Sequence, residues 1–168
     1  MTAEQITDLV LDLYSARAEA KEYLDFFVNP DIERKLEKAR CAINKEMSRS
    51  SRGRNKARPS RIKRYIKDIR SLDPGDEAVC EIMVYAVETA CRVGSASQIK
   101  ESTQTSIAKL LYDTVVKADA AGMLGVYLPR MEKAVEAMAS PLFRCNQFRQ
   151  LMLDTLGDAL AAASSQLP

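Results

Sequence analysis

An all-α fold is predicted for this 168-residue chain by three observations. Apolar residues recur at helical spacing along most of its length. Only 6 Gly and 6 Pro punctuate it. No stretch combines period-two alternation with hairpin turn signals. Seven or eight helices are expected, antiparallel to their neighbours and joined mostly by short turns, either as a bundle or as a short array of helical hairpins. No repeat is strong enough to choose the array. At ~100–200 residues per domain the length suits a single helical domain over residues 1–168. A content of 46% apolar and 29% charged residues is that of a globular chain able to fold without disulfide or metal.

The elements follow in order. Ile6, Leu9, Val10, Leu13 and Tyr14 mark a first helix, with Thr2 and Gln5 spaced as a capping box. Ala20, Tyr23, Leu24, Phe27 and Val28 repeat the pattern 14 residues on. The periodicity leaves open whether a turn near Ser15–Ala18 separates the two. Asn29-Pro30-Asp31 breaks the chain, and a third helix is expected from about Asp31 to Met47, with Ile32, Leu36, Ala39 and Ile43 inward. Residues 48–60 lack periodicity and read as a flexible basic loop. Pro59-Ser60 opens a fourth helix carrying Ile62, Tyr65, Ile66 and Ile69, which Asp73-Pro74-Gly75 ends. The fifth, from about Gly75 to Arg92, is apolar nearly all round and belongs in the middle, with Gly94 as its stop. Ser95–Ser106 reads as a connection or a frayed helix start. Ile107, Leu110, Leu111, Val115 and Ala118 mark the sixth helix, with Gly122 at its C′ position. Leu124, Leu128, Met131, Val135 and Met138 mark the seventh, with Pro129 placed near its first turn. Ser140-Pro141 starts the last, which carries Phe148, Leu151, Met152, Leu156 and Leu160 before a tail expected to fray from Ala161.

Absent residue types exclude much chemistry. With 0 His and 0 Trp, the chain can form no Ser-His or Cys-His nucleophile, no HExxH site and no C2H2 finger. Neither G-x-x-x-x-G-K-[ST] nor G-x-G-x-x-G occurs. Ser60-Arg61-Ile62-Lys63 fits S-x-x-K without its partner motifs, and Ser60 is better explained as an N-cap. The carboxylate pairs Asp8/Asp12 and Glu132/Glu136 lie beside ordinary apolar stripes and lack the His of a di-metal bundle. No catalytic residue, metal site, cofactor or small-molecule substrate is therefore expected, and the chain reads as a non-enzyme. No run approaches the ~20 apolar residues of a membrane span. The N-terminus has no basic segment followed by an apolar core, so no secretory signal is expected. Cys41, Cys80, Cys91 and Cys145 form no C-x2-C pair. Cys80 and Cys91 would sit about 16 Å apart along one helix, beyond disulfide reach. Buried free thiols in a reducing cytoplasm are expected.

Leu11-Asp12-Leu13-Tyr14, Lys21-Glu22-Tyr23-Leu24-Asp25 and Asn29-Pro30 resemble the opening of a bacterial helical family known only as a domain of unknown function. The resemblance continues through the basic stretch from Lys45 to Lys67 and through Val84-Tyr85-Ala86-Val87-Glu88-Thr89, covering about the first 95 residues. It implies a small helical cytoplasmic protein and assigns no activity, substrate or site residue.

Charge is segregated. Residues 31–70 hold 15 basic and 5 acidic residues, net +10, while the remainder holds 10 and 18, net −8. Arg49, Arg52, Arg54, Lys56 and Arg58 lie on the loop, and Arg61, Lys63, Arg64, Lys67 and Arg70 on the fourth helix. Lys63, Lys67 and Arg70 share one flank of that helix at 100° per residue. These ten form the candidate binding surface. The leading expectation is a helical interaction or scaffold module for a protein partner or a second copy. The alternative is a phosphate-backbone binder using the same cations. Against that alternative, Tyr65 is the only aromatic residue in the block, and it falls on the apolar side. The block could also be neutralised within the molecule by Asp8, Asp12, Glu19, Glu22 and Asp25.

Overall fold

The computed structural model describes residues 1–48, 57–138 and 143–164. These form eight helices and, among the described residues, no strand: α1 (Ala3–Ala16), α2 (Ala18–Val28), α3 (Ile32–Met47), α4 (Pro59–Arg70), α5 (Asp76–Ala96), α6 (Glu101–Ala120), α7 (Leu124–Glu136) and α8 (Phe143–Ser164).

Local chemistry sets the boundaries. The Thr2 side chain accepts from the Gln5 N–H at 3.3 Å, and the Gln5 side chain accepts from the Thr2 N–H at 2.9 Å, completing the capping box of α1. One extended residue, Arg17, ends α1 and begins α2, which resolves the question left open near Ser15–Ala18. Asp31 caps α3 by accepting from the Arg34 N–H at 3.0 Å. Pro59 sits in the first turn of α4, where its missing donor costs nothing. After α6, Gly122 adopts a left-handed conformation (φ 67°). The Met123 N–H then reaches the Ala118 carbonyl and the Gly122 N–H the Asp119 carbonyl, both at 2.8 Å, which is a Schellman ending.

Helix α5 is the axis of the fold. Twelve of its residues are buried, and α3, α4, α6, α7 and α8 all pack against it. The core joins Leu36, Ile43 and Met47 of α3, Ile62, Ile66 and Ile69 of α4, Leu111 and Val115 of α6, Met131 and Val135 of α7, and Phe148 and Met152 of α8. Met131, Met138 and Met152 are fully buried fillers.

Several expectations need correction. Gly94 does not stop α5, which continues to Ala96. A β-carbon placed on Gly94 would lie 2.4 Å from Cε1 and 2.7 Å from Cδ1 of Phe148, so this glycine lets α8 approach α5. The stretch read as a connection is helical from Glu101. Pro129 lies in the second turn of α7 rather than the first, where it removes one internal hydrogen bond. Tyr127, overlooked as a core residue, is buried beside it. Helix α8 extends to Ser164 with Ala163 buried, so fraying does not begin at Ala161. The proposed start at Ser140-Pro141 lies outside the described residues.

Candidate functional site

Of the ten candidate cations, Arg49, Arg52, Arg54 and Lys56 lie outside the described residues. The other six divide into two groups. Arg58 and Arg61, at the start of α4, converge on Glu46 near the end of α3, at 3.7 and 3.0 Å. Glu46 is only 7% exposed, and a carboxylate so buried requires such partners. This pair therefore fastens α4 to α3. Lys63, Lys67 and Arg70 share one flank of α4, as their spacing predicts, and that flank faces α6. Arg64 is exposed. Among the described residues no carboxylate lies within ion-pair distance of Lys63, Arg64, Lys67 or Arg70. Tyr65 packs against the core, while Tyr112 of α6 is exposed and lines the same space as Lys63, Lys67 and Arg70.

Between α4 and α6 runs a groove of about 500 Å³. Ile66, Met83, Leu110 and Val116 give it an apolar floor, and Lys63, Lys67 and Arg70 form one rim. The opposite rim carries Asp113 and Lys117, the latter paired with Asp76. Arg70 reaches across to the Met83 sulfur at 3.7 Å. The groove is thus an apolar trough with a predominantly cationic edge.

A second polar constellation joins α3, α5 and α7. Glu81, Tyr85, Glu88 and Arg92 recur at spacings of 4, 3 and 4 on α5, a stripe concealed by the apolar residues around it. Arg130 of α7 grips Glu88 in a fork, Nε and Nη2 both at 2.9 Å, and reaches Glu81 at 2.6 Å. Arg40 of α3 approaches Glu81 at 3.3 Å and lies 5.8 Å from the centre of the Tyr85 ring. Asn44 donates to the Tyr85 hydroxyl and accepts from Arg92 at 3.0 Å. Burial by itself would raise the Glu81 carboxyl, but hydrogen bonds and charge from Arg130, then Arg40, outweigh it and hold the group below the usual carboxylate range. Hydrogen bonds to Glu88 and then Glu81 raise Arg130 further into its charged form. Glu81 and Glu88 both serve as partners to guanidinium groups, and this seam clamps three helices together. The reading of α5 as apolar nearly all round missed it, although the 4-3-4 spacing was visible.

The third feature is the N-terminal arm formed by α1 and α2. No residue of either helix is buried, and neither helix packs on any helix but the other. The Tyr14 hydroxyl donates to Asp25 at 2.8 Å and holds the arm together. Its link to the body is the Glu22–Lys35 ion pair, beside an open notch of about 400 Å³ between α2 and α3. Ile6 and Leu9 are half exposed, and Phe27 and Val28 are 74% and 82% exposed. Of the five acidic residues considered as internal partners for the basic block, Glu22 alone forms an ion pair with it among the described residues. The arm as a whole carries 6 acidic and 2 basic residues over positions 1–28.

The cysteines divide by environment. Cys41 is exposed, contrary to the expectation of burial, while Cys80 and Cys91 are buried free thiols. Burial pushes the Cys91 thiol up to about 12 and raises Cys80 as well. In the native protein a maleimide is expected to label Cys41 at least about tenfold faster than Cys80 or Cys91, whose thiolates are suppressed. Peptide mass mapping of a timed reaction checks this, and equal labelling of Cys91 and Cys41 would contradict it. Among the described residues no cluster of acidic or cysteine side chains could hold a metal ion, and no helix is long and apolar enough to cross a membrane.

These features define an all-helical protein with a shared core, a paired polar seam and two unmatched surfaces. The chain belongs to a family of unknown function (DUF6155), which it matches over residues 1–152. The match runs well beyond the first 95 residues that carry the recognisable motifs. No curated protein and no solved structure matches the chain.

Proposed function

We propose that this chain is a non-enzymatic helical interaction module that binds a protein partner through its α1–α2 arm. The observation that carries this reading is the contrast between the arm and the body. Helices α3–α8 all contribute to one core, whereas α1 and α2 bury no residue and leave Ile6, Leu9, Leu13, Phe27 and Val28 exposed. An isolated helix of 14 residues is marginal in water, and an apolar stripe gains its stabilisation only when covered. Recognition of an amphipathic helix through anchors such as Ile6, Leu9 and Leu13 is an established mode of protein binding. Free thiols at Cys41, Cys80 and Cys91 support placing this work in a reducing cytoplasm.

The phosphate-backbone alternative has less support. Arg58 and Arg61 are committed to Glu46, and Tyr65, the aromatic residue of α4 itself, packs against the core, so that Tyr112 of α6 is the aromatic side chain beside Lys63, Lys67 and Arg70. Photo-crosslinking in cells tests the leading reading. A photoreactive residue at Leu13 or Phe27 is expected to give protein adducts, while one at the exposed Asp158 of α8 gives few. Equal adduct formation at all three sites would refute the arm as a binding surface.

A further inference from the structure

We infer that the arm docks into the α4–α6 groove of a second copy of the chain, in a reciprocal two-fold exchange. The inference rests on the reading of the arm as a protein-binding surface and names its occupant. The first observation is that the molecule carries two unmatched surfaces of opposite charge. The arm has a net charge of −4 over residues 1–28. The groove is edged by Lys63, Lys67 and Arg70, against Asp113 and an already paired Lys117. Both surfaces are apolar at their centres: Ile6, Leu9 and Leu13 on α1, and Ile66, Met83 and Val116 in the trough.

Charge decides between the geometries that two copies could adopt. Arm against arm would bring −4 against −4, and like charges at an interface are costly. Groove against groove would oppose two cationic rims. Arm in groove is complementary in charge and joins helix to trough, the simplest way to cover an amphipathic helix.

The arm cannot fill its own groove as the chain is folded. Its Glu22 approaches α4 from the side of Tyr65, Asp68 and Leu72, while the groove opens on the side of Lys63 and Lys67. Exchange between two copies makes the same contact twice and closes under two-fold symmetry, leaving no free end to propagate.

Complementation between two variants of the full-length protein supplies the test. The first variant, Leu9→Ser with Leu13→Ser, disables the arm. The second, Lys63→Glu with Lys67→Glu, disables the groove. Leu9, Leu13 and Lys67 are exposed and Lys63 is half-buried, so the thermal unfolding of each variant should track the parent and shows that each folds. Sedimentation equilibrium is expected to give a parent dimer that weakens by about tenfold or more between 0.05 and 0.5 M salt, because opposite charges are screened. Each variant alone is expected to dimerise at least about tenfold more weakly. Mixed one to one they should form a heterodimer, since one supplies an intact groove and the other an intact arm. A parent dimer with no heterodimer on mixing would overturn the inference, and a Lys63→Glu, Lys67→Glu variant that dimerised like the parent would show that the groove is not the docking site. A parent that stays monomeric at every concentration would also overturn the inference. The interaction reading would then survive only if adducts at Leu13 and Phe27 persisted with proteins other than this chain, and a loss of both results would remove both conclusions.

Discussion

Gly94→Ala is expected to destabilise the protein by about 2 kcal/mol, although glycine-to-alanine changes within helices usually stabilise by ~1 kcal/mol. The reversal follows from the α5–α8 crossing. The added methyl would sit 2.4 Å from Cε1 of Phe148, with Met138 Cε 3.4 Å away. Phe148 is 1% exposed, so its ring is enclosed by the core. Either the ring leaves its site or the two helices separate, and each costs packing in a core without slack. Urea unfolding measures the effect. Phe148→Leu should lose about 1–2 kcal/mol by itself, because it removes buried apolar volume. Combined with Gly94→Ala it should lose less than the two single losses added, with a coupling of about 1 kcal/mol or more. A Gly94→Ala protein as stable as its parent would show that α8 does not approach α5 so closely.

Arg130→Met is expected to cost about 2 kcal/mol. Removing one partner of a fully buried ion pair costs ~3–5 kcal/mol, and the partial exposure of this seam lowers the figure. Methionine keeps most of the stem's packing, so the loss reports on the orphaned Glu81 and Glu88. The same seam sets an acid limit. The Glu81 carboxyl is depressed in the folded state, so its contribution is fully present above the ordinary glutamate pKa of ~4.3 and disappears as pH falls through the lower folded value. Urea midpoints measured between pH 6 and pH 3 should fall on acidification in the parent. The fall should be shallower in Glu81→Gln, which has no proton to take up there, and in Arg130→Met, where the depressing partner is gone. Superimposable pH profiles for the three proteins would exclude the seam as a source of acid sensitivity.

Residues at helical spacing made most of the fold legible. The capping box at Thr2, the break at Pro30, the proline opening of α4 and the left-handed Gly122 each follow from local chemistry, and the burial of α5 followed from its composition. Gly94 was not legible, because a glycine near a helix end reads as a terminator unless the aromatic ring lying across it is known. The ring belongs to Phe148, which is 54 residues away in the chain. The stripe along one flank of α4 was legible from angular spacing. What that flank faces was not, since α6 reaches it only through tertiary packing. The division of the cations into a pair clamped on the buried Glu46 and an open rim was likewise hidden, as Glu46 lies in a separate helix from Arg58 and Arg61. The arm was the converse case: its apolar stripe suggested core helices, and only the packing of the whole molecule showed that none of its residues joins the buried core.

The central position of α5 has a consequence for synthesis on the ribosome. Its last residue, Ala96, is made before any of α6, α7 or α8, and α8 ends at Ser164. At ~5–20 residues per second, the intervening stretch of roughly 70 residues takes about 3–14 s to emerge. During that interval the faces of α5 that α6, α7 and α8 will cover are closed one after another, and the face that α8 covers stands open to the end. A nascent chain in this condition presents a greasy rod to every neighbour, so its yield in a cell depends on how quickly the last three helices arrive and on what shields the rod until then.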